Sequence, residues 1–154
     1  LLKTSILKEI KGYPTDLYID DWYMWLAITK VGYNLQVIPD ILVKYRQHNN
    51  NMSKNAHKMY ESRKKILNLY KDHQLYSNAI SENEVFASID FSTESKLKSI
   101  NHLLESIRLS YLIIFYPKFY IAFLRILLPL FLISKLSKLK FIIMNNIFKN
   151  ENRW

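Results

Sequence analysis

Two glycines in 154 residues are the tightest limit this sequence sets on its own fold. An α/β domain turns often between short elements, and many of those turns need a positive φ that glycine adopts without strain. With only Gly12 and Gly32 available, the chain is expected to be α+β but predominantly helical, with one short two-strand element followed by amphipathic helices. A length of 154 residues corresponds to one domain or part of one. Hydrophobic residues make up 49% of the chain, which excludes a disordered segment. Cysteine is absent, so a disulfide framework and a cysteine-ligated zinc are excluded, and a reducing compartment fits. The chain opens Leu1-Leu2-Lys3 without an initiator methionine or a signal peptide, and is expected to begin mid-protein.

Local pattern places the elements. Residues 3–10 predict a short helix stopped by Gly12 and Pro14. Residues 15–19 read as a loop. Asp20 suits the N-cap of a helix running from Asp21 to about Val31, with Gly32 at C′. On it Trp22, Trp25, Leu26 and Thr29 fall at i, i+3, i+4 and i+7, one face. Asn34–Ile38 alternates and predicts a strand, Pro39-Asp40 a turn, and Ile41–Tyr45 a second strand, followed by a polar loop from Arg46 to Asn51. Helix resumes from Ser53, with Met59, Ile66, Leu67 and Tyr70 on one stripe. Ser81-Glu82-Asn83-Glu84 has the form of a capping box opening a short helix. Leu97, Ile100, Leu103, Leu104 and Ile107 give the cleanest apolar stripe of the chain.

The net charge of +9 is concentrated at one end. Residues 1–95 carry 12 basic and 11 acidic side chains, whereas residues 96–154 carry 10 and 2. The basic end is also the apolar end. That combination points to an anionic membrane surface as partner. The glycine or aromatic interleaving of a nucleic-acid binder is missing, so no nucleic-acid partner is expected. Within residues 109–134, Lys118 and Arg125 interrupt the apolar run, and Pro117 and Pro129 break its helical continuity. A spanning helix needs about 20 mostly apolar residues, so helices lying on the membrane are expected. Lys135, Lys138 and Lys140 follow directly and face anionic headgroups in that reading.

Two stretches carry the candidate chemistry. Gly12-Tyr13-Pro14 is followed by Asp20-Asp21-Trp22, which sets two carboxylates at a helix start. Asp20 reads first as a cap. Asp21 reads either as a second acid of a solvated helix start or as a general base, because nearby tryptophans would strip water from a carboxylate and a like-charged neighbour makes it more basic. Tyr45-Arg46-Gln47-His48, with Asn51 and Ser53, puts phosphate donors after the second predicted strand. Arg46 and His48 at i, i+2 point the same way on an extended segment. The alternatives are a polar loop with Arg46 in a surface ion pair, and Ser53 as a helix N-cap. His57, His73 and His102 sit apart at no metal-binding spacing, and Asn51-Met52-Ser53 also matches the short glycosylation sequon.

The order of these motifs across Leu1–Ser53 resembles the second half of the catalytic domain of family 2 glycosyltransferases, which have the GT-A fold. Gly12-Tyr13-Pro14 matches the glycine-aromatic turn before the acceptor side, Asp20-Asp21 the usual Glu-Asp pair, and Tyr45-Arg46-Gln47-His48 with Asn51 and Ser53 the closing motif. The resemblance implies that Asp21 is the general base that takes the proton of an acceptor sugar hydroxyl, which attacks the anomeric carbon of a nucleotide-sugar with inversion. It implies that Asp20, Trp22 and Trp25 contact the acceptor, with core packing the alternative for at least one tryptophan. Arg46, His48 and Ser53 would hold the departing diphosphate, His48 through a divalent metal (Mg or Mn). Two positions depart from the family: Asp20 in place of Glu, and Ala27 where many members carry Arg. The Asp-x-Asp metal motif of the family's nucleotide-binding half does not occur in this chain.

The reading that follows is the acceptor side of an inverting glycosyltransferase, building a surface polysaccharide such as O-antigen or capsule on a lipid-linked saccharide. Residues 1–53 would be the acceptor half of the catalytic domain, 54–110 a helical extension, and 111–154 basic apolar membrane-associating helices. The protein would be cytoplasmic and peripheral at the inner face of the plasma membrane, and this chain alone inactive. The alternative is a non-enzymatic membrane-associated helical module.

Overall fold

The structure, a computed structural model, describes residues 2–43, 46, 51–136, 138 and 139. It is predominantly helical and falls into two compact units, Leu1–Asp72 and His73–Trp154.

In the first unit, α1 (Thr4–Glu9) closes with two hydrogen bonds of a Schellman motif, Lys11 N–H to Lys8 O (3.2 Å) and Gly12 N–H to Leu7 O (2.8 Å). The C′ position is therefore Lys11, at φ +62°, with Gly12 following at +74°. A side chain in the left-handed region costs about 1–2 kcal/mol, part of which glycine gives back through its freer unfolded chain. Lys11→Gly is expected to raise stability by about 0.5 kcal/mol and Lys11→Val to lower it by about 1 kcal/mol, read as shifts of the urea midpoint.

The second helix, α2 (Asp20–Lys30), ends as its sequence predicts. Gly32 sits at C′ with φ +93°, its N–H on Thr29 O (3.0 Å) and that of Tyr33 on Ile28 O (3.2 Å). Its start is one residue earlier than expected. Asp20 is the first helical residue, and Ile19 occupies the N-cap without a capping side chain. Ser62 of α3 (Ala56–Asn68) compensates, because its buried Oγ accepts both Tyr18 N–H (3.0 Å) and Ile19 N–H (3.1 Å). A tertiary contact thus satisfies donors that a local cap would otherwise serve. At the other end Lys30 Nζ lies 5.0 Å from the centre of the Tyr70 ring.

The buried face of α2 is not the one expected. Met24 and Ile28, at i and i+4, are 2% and 6% exposed, while Trp25 and Thr29 are exposed. From Trp22 to Ile28 the helix is apolar all round, so periodicity cannot choose a face, and the ties to Ser62 and Tyr70 do. In α3, Ile66 and Leu67 are buried as expected. Its N-cap is Asn55, whose Oδ1 accepts Lys58 N–H at 2.9 Å. Ser53 lies instead in a 3₁₀ turn, Met52–Lys54.

The expected two-strand element is absent from the described residues. Among the described residues there is no β-strand, and Asn34–Ile38 and residues 41–43 are irregular. Val37 is 88% exposed and Val43 79%. Alternation makes a strand only where a neighbour completes the ladder, and two short strands alone are marginal. Tyr45, the end of the second predicted strand, lies outside the described residues.

Two tyrosines give this unit an alkaline limit. Tyr33 Oη donates to Glu9 Oε2 (3.1 Å), and that bond together with the carboxylate's charge raises the phenol above its ordinary value. Burial, then the neighbouring Tyr23, raises Tyr70. Phenols whose folded pKa is raised stabilise the fold below the ordinary tyrosine value of 10.0, and that contribution is lost as pH rises through their folded values. The urea midpoint is expected to fall above pH 10, and less steeply in the double variant Tyr33→Phe/Tyr70→Phe.

In the second unit, α4 (Tyr76–Phe91) and α5 (Lys96–Leu109) form an antiparallel hairpin. Ser95 caps α5, its Oγ accepting Lys98 N–H (3.3 Å). The seam between the helices is a polar ladder. Ser110 Oγ donates to Asn78 Oδ1 (3.0 Å), and Ser81 Oγ to Ser106 O (2.7 Å). Glu84 Oε2 meets His102 Nδ1 (2.6 Å), and Ser99 Oγ donates to Ser88 O (2.8 Å). Ser81, Ser88, Ser99 and Ser106 are fully buried. Ser81 therefore opens no helix. It sits inside α4, where the capping-box pattern arises from a seam serine and a seam glutamate.

A 3₁₀ turn (Tyr111–Phe115) and α6 (Pro117–Leu127) pack on this hairpin, where Val85, Leu103, Ile113 and Ala122 form an apolar cluster. Lys96 Nζ donates to the carbonyls of Arg125 and of Leu128 (2.6 Å for the latter), closing the C-terminus of α6. Burial, then the charge of Arg125, pulls the Lys96 ammonium below the usual lysine range. Arg125 turns inward as well, its Nε donating to Ser92 Oγ at 2.8 Å. Residues 130–136 are also helical. No helix among the described residues is long and apolar enough to cross a membrane.

Candidate functional site

The acidic pair stands at the first turn of α2. Asp20 Oδ1 accepts Asp21 N–H (2.9 Å) and Asp21 Oδ1 accepts Trp22 N–H (2.8 Å). Each carboxylate thereby spends one oxygen on a helix-start donor, in the favourable field of the helix N-terminus. Both side chains are exposed, so the tryptophans do not strip their water as the sequence suggests. Trp22 is half-buried, whereas Trp25 is 52% exposed one turn on. An exposed carboxylate with a second oxygen free to accept, beside an exposed indole face, has the groups needed to orient a sugar hydroxyl.

The closing motif is only partly on view. Tyr45, Gln47 and His48 lie outside the described residues, and with them the metal position assigned to His48. Arg46 is exposed, and its carbonyl accepts Asn51 Nδ2 (3.2 Å). Ser53 is exposed in the 3₁₀ turn that follows. That turn is held to the loop leading into α2, because Tyr18 Oη donates to Met52 O at 3.0 Å. The residue before Ser53 and a residue two before Asp20 are thus in direct contact. Among the described residues no cluster of three or more His, Asp or Glu side chains is placed to hold a metal.

Beside this contact lies a cleft of about 330 Å³ between the loop Thr15–Tyr18 and α3. Its α3 wall is Lys58, Glu61, Ser62 and Lys65. Ser62 ties this wall to the loop through its two hydrogen bonds, and Lys58 Nζ stands 5.5 Å from the centre of the Tyr18 ring. The cleft pairs two carboxylates, Asp16 and Glu61, with two ammonium groups. That lining suits a neutral ligand rich in hydroxyls better than an anion. Sequence reasoning missed it, since Lys58, Glu61 and Lys65 look like an ordinary solvated helix face. The one local signal is Ser62, a small polar residue on the buried side of α3. The chain matches no protein-family model, no curated protein and no solved structure.

Proposed function

We propose that this chain is the acceptor side of an inverting glycosyltransferase that moves a sugar from a nucleotide-sugar to a lipid-linked saccharide in surface polysaccharide synthesis. The observation that carries the reading is the Tyr18–Met52 hydrogen bond, which holds the turn bearing Ser53 against the loop that delivers Asp20 and Asp21. The turn that bears Ser53 and the loop before the acidic pair are thus neighbours in space. In this reading Asp21 takes the proton of the attacking hydroxyl, and the exposed face of Trp25 carries a sugar ring. Asp20 holds the helix start, and Trp22 packs more than it binds. Arg46 and Ser53 stabilise the departing diphosphate, and His48 would hold a divalent metal, Mg or Mn, that would supply positive charge to the leaving group. The cleft under Tyr18 seats a further ring of the acceptor, its size lying at the small end of ligand pockets.

The nucleotide-binding half with its Asp-x-Asp motif, and the GT-A sheet, would come from residues other than these. The enzyme would work at the inner face of the plasma membrane, where its lipid-linked acceptor resides. The test is transfer of labelled sugar from a nucleotide-sugar to a lipid-linked acceptor by the complete enzyme, compared with its Asp21→Asn variant. Transfer that disappears in the variant supports the reading, and transfer that persists removes Asp21 as base.

A further inference from the structure

The hairpin of the second unit is built the wrong way round for water. Its seam is lined by serines, an asparagine, a glutamate and a histidine. The stripe that sequence marks as a core face looks outward: Leu97 is 69% exposed and Leu104 60%, with Ile100 and Ile107 partly so, and only Leu103 of the five is buried. The 3₁₀ turn and α6 continue the pattern, with Phe115 77% and Leu124 56% exposed. Small and polar residues between helices, with large apolar residues outside, is the arrangement of helices that contact lipid. An exposed apolar surface this extensive marks an interaction site.

We infer that the outer side of α5, the 3₁₀ turn and α6 is a docking face for an anionic lipid surface, lying in the headgroup layer without crossing it. Charge selects this occupant. Among the described residues from 96 onward there are seven cations and one acid, Glu105. Lys96 and Arg125 are turned inward and bonded, which leaves Lys98, Arg108, Lys118, Lys135 and Lys138 to the surface. Arg108 pairs loosely with Glu105 at 3.5 Å. The Lys118 ammonium lies 4.1 Å from the centre of the Phe86 ring, its stem along apolar surface. A second copy of this chain would present the same cations to itself and be repelled, whereas phosphate headgroups neutralise them. With no helix long enough to span, the apolar side chains enter only to the acyl boundary. The inference stands on the second unit alone. It holds for a membrane-bound transferase and equally for a non-enzymatic membrane module.

Vesicle co-sedimentation of the full chain tests it, with phosphatidylglycerol in phosphatidylcholine against phosphatidylcholine alone. Binding to the anionic vesicles is expected, weakened by salt. The double variant Leu104→Glu/Leu124→Glu should bind about tenfold or more weakly. Both positions are exposed, so helix content by circular dichroism should not change. Lys135→Ala/Lys138→Ala, at two exposed positions, should weaken binding roughly fivefold per residue. Absence of binding to anionic vesicles would overturn the inference, as would equal binding to phosphatidylcholine alone. So would a solution dimer that the leucine substitutions dissolve while vesicle binding persists.

Discussion

Ser88→Leu is expected to destabilise the second unit by about 3 kcal/mol. Ser88 is fully buried at the α4–α5 seam, with its Oγ 3.1 Å from that of Ser99 and its carbonyl accepting the Ser99 hydroxyl. Two extra heavy atoms and a branched end in a close-packed seam must push the helices apart, and overpacking alone costs about 1–3 kcal/mol. Separation also strands the Ser99 hydroxyl away from water, which adds about 1–3 kcal/mol for an unpaired buried group. Ser88→Ala keeps the spacing and loses only the side-chain contact, so its cost should be near 1 kcal/mol. Urea denaturation followed by circular dichroism separates the two. Equal midpoints for the leucine and alanine variants would mean that the helices are not in close contact at this point.

The other large effect belongs to Asp21. In the transferase proposed above, Asp21→Asn should lower kcat by about 10²–10⁴, the usual share of a general base. The asparagine keeps an oxygen to accept Trp22 N–H, so the bond that orients the side chain survives. Stability should fall by no more than about 0.5 kcal/mol, from the lost charge at the start of α2. Asp20→Asn sacrifices the same charge at the same helix end without touching the proposed base, and transfer should survive in it. An equal loss of transfer in both variants would point to the field of the pair instead of a proton transfer by Asp21.

What the sequence made legible was mostly punctuation. Gly32 ended α2 at the expected residue because a C′ position demands a left-handed φ that few residues tolerate. The first helix was equally plain, although its C′ fell on Lys11 and not on the glycine beside it. Faces were harder to read. The apolar run Trp22–Ile28 allowed several burial directions, and hydrogen bonds to Ser62, 43 and 44 residues away, chose one. The stripe Leu97–Ile107 was real but faced outward, because periodicity says which residues share a side and not what covers it. Alternation in Asn34–Ile38 predicted a strand that no neighbouring edge supports among the described residues. At the candidate site, Asp21, Trp22 and Trp25 were placed on one short helix from sequence alone, with Asp20 as its cap, whereas Asp20 is the first helical residue. The Tyr18–Met52 contact and the cleft beside it were invisible, since the first joins residues 34 apart in sequence and the second depends on how α3 meets the loop Thr15–Tyr18.

The ladder at the α4–α5 seam also decides which alignment of the two helices can exist. An apolar seam tolerates sliding, because one leucine replaces another against the same neighbour. Here each rung joins a particular donor to a particular acceptor, at Asn78–Ser110, Ser81–Ser106, Glu84–His102 and Ser88–Ser99. Sliding α5 by one turn would bring the Glu84 carboxylate toward a serine and leave His102 facing another rung. Several buried polar groups would lose their partners at once, each at about 1–3 kcal/mol. The hairpin consequently has a single low-energy register, and its specificity comes from hydrogen bonds that add little to its net stability.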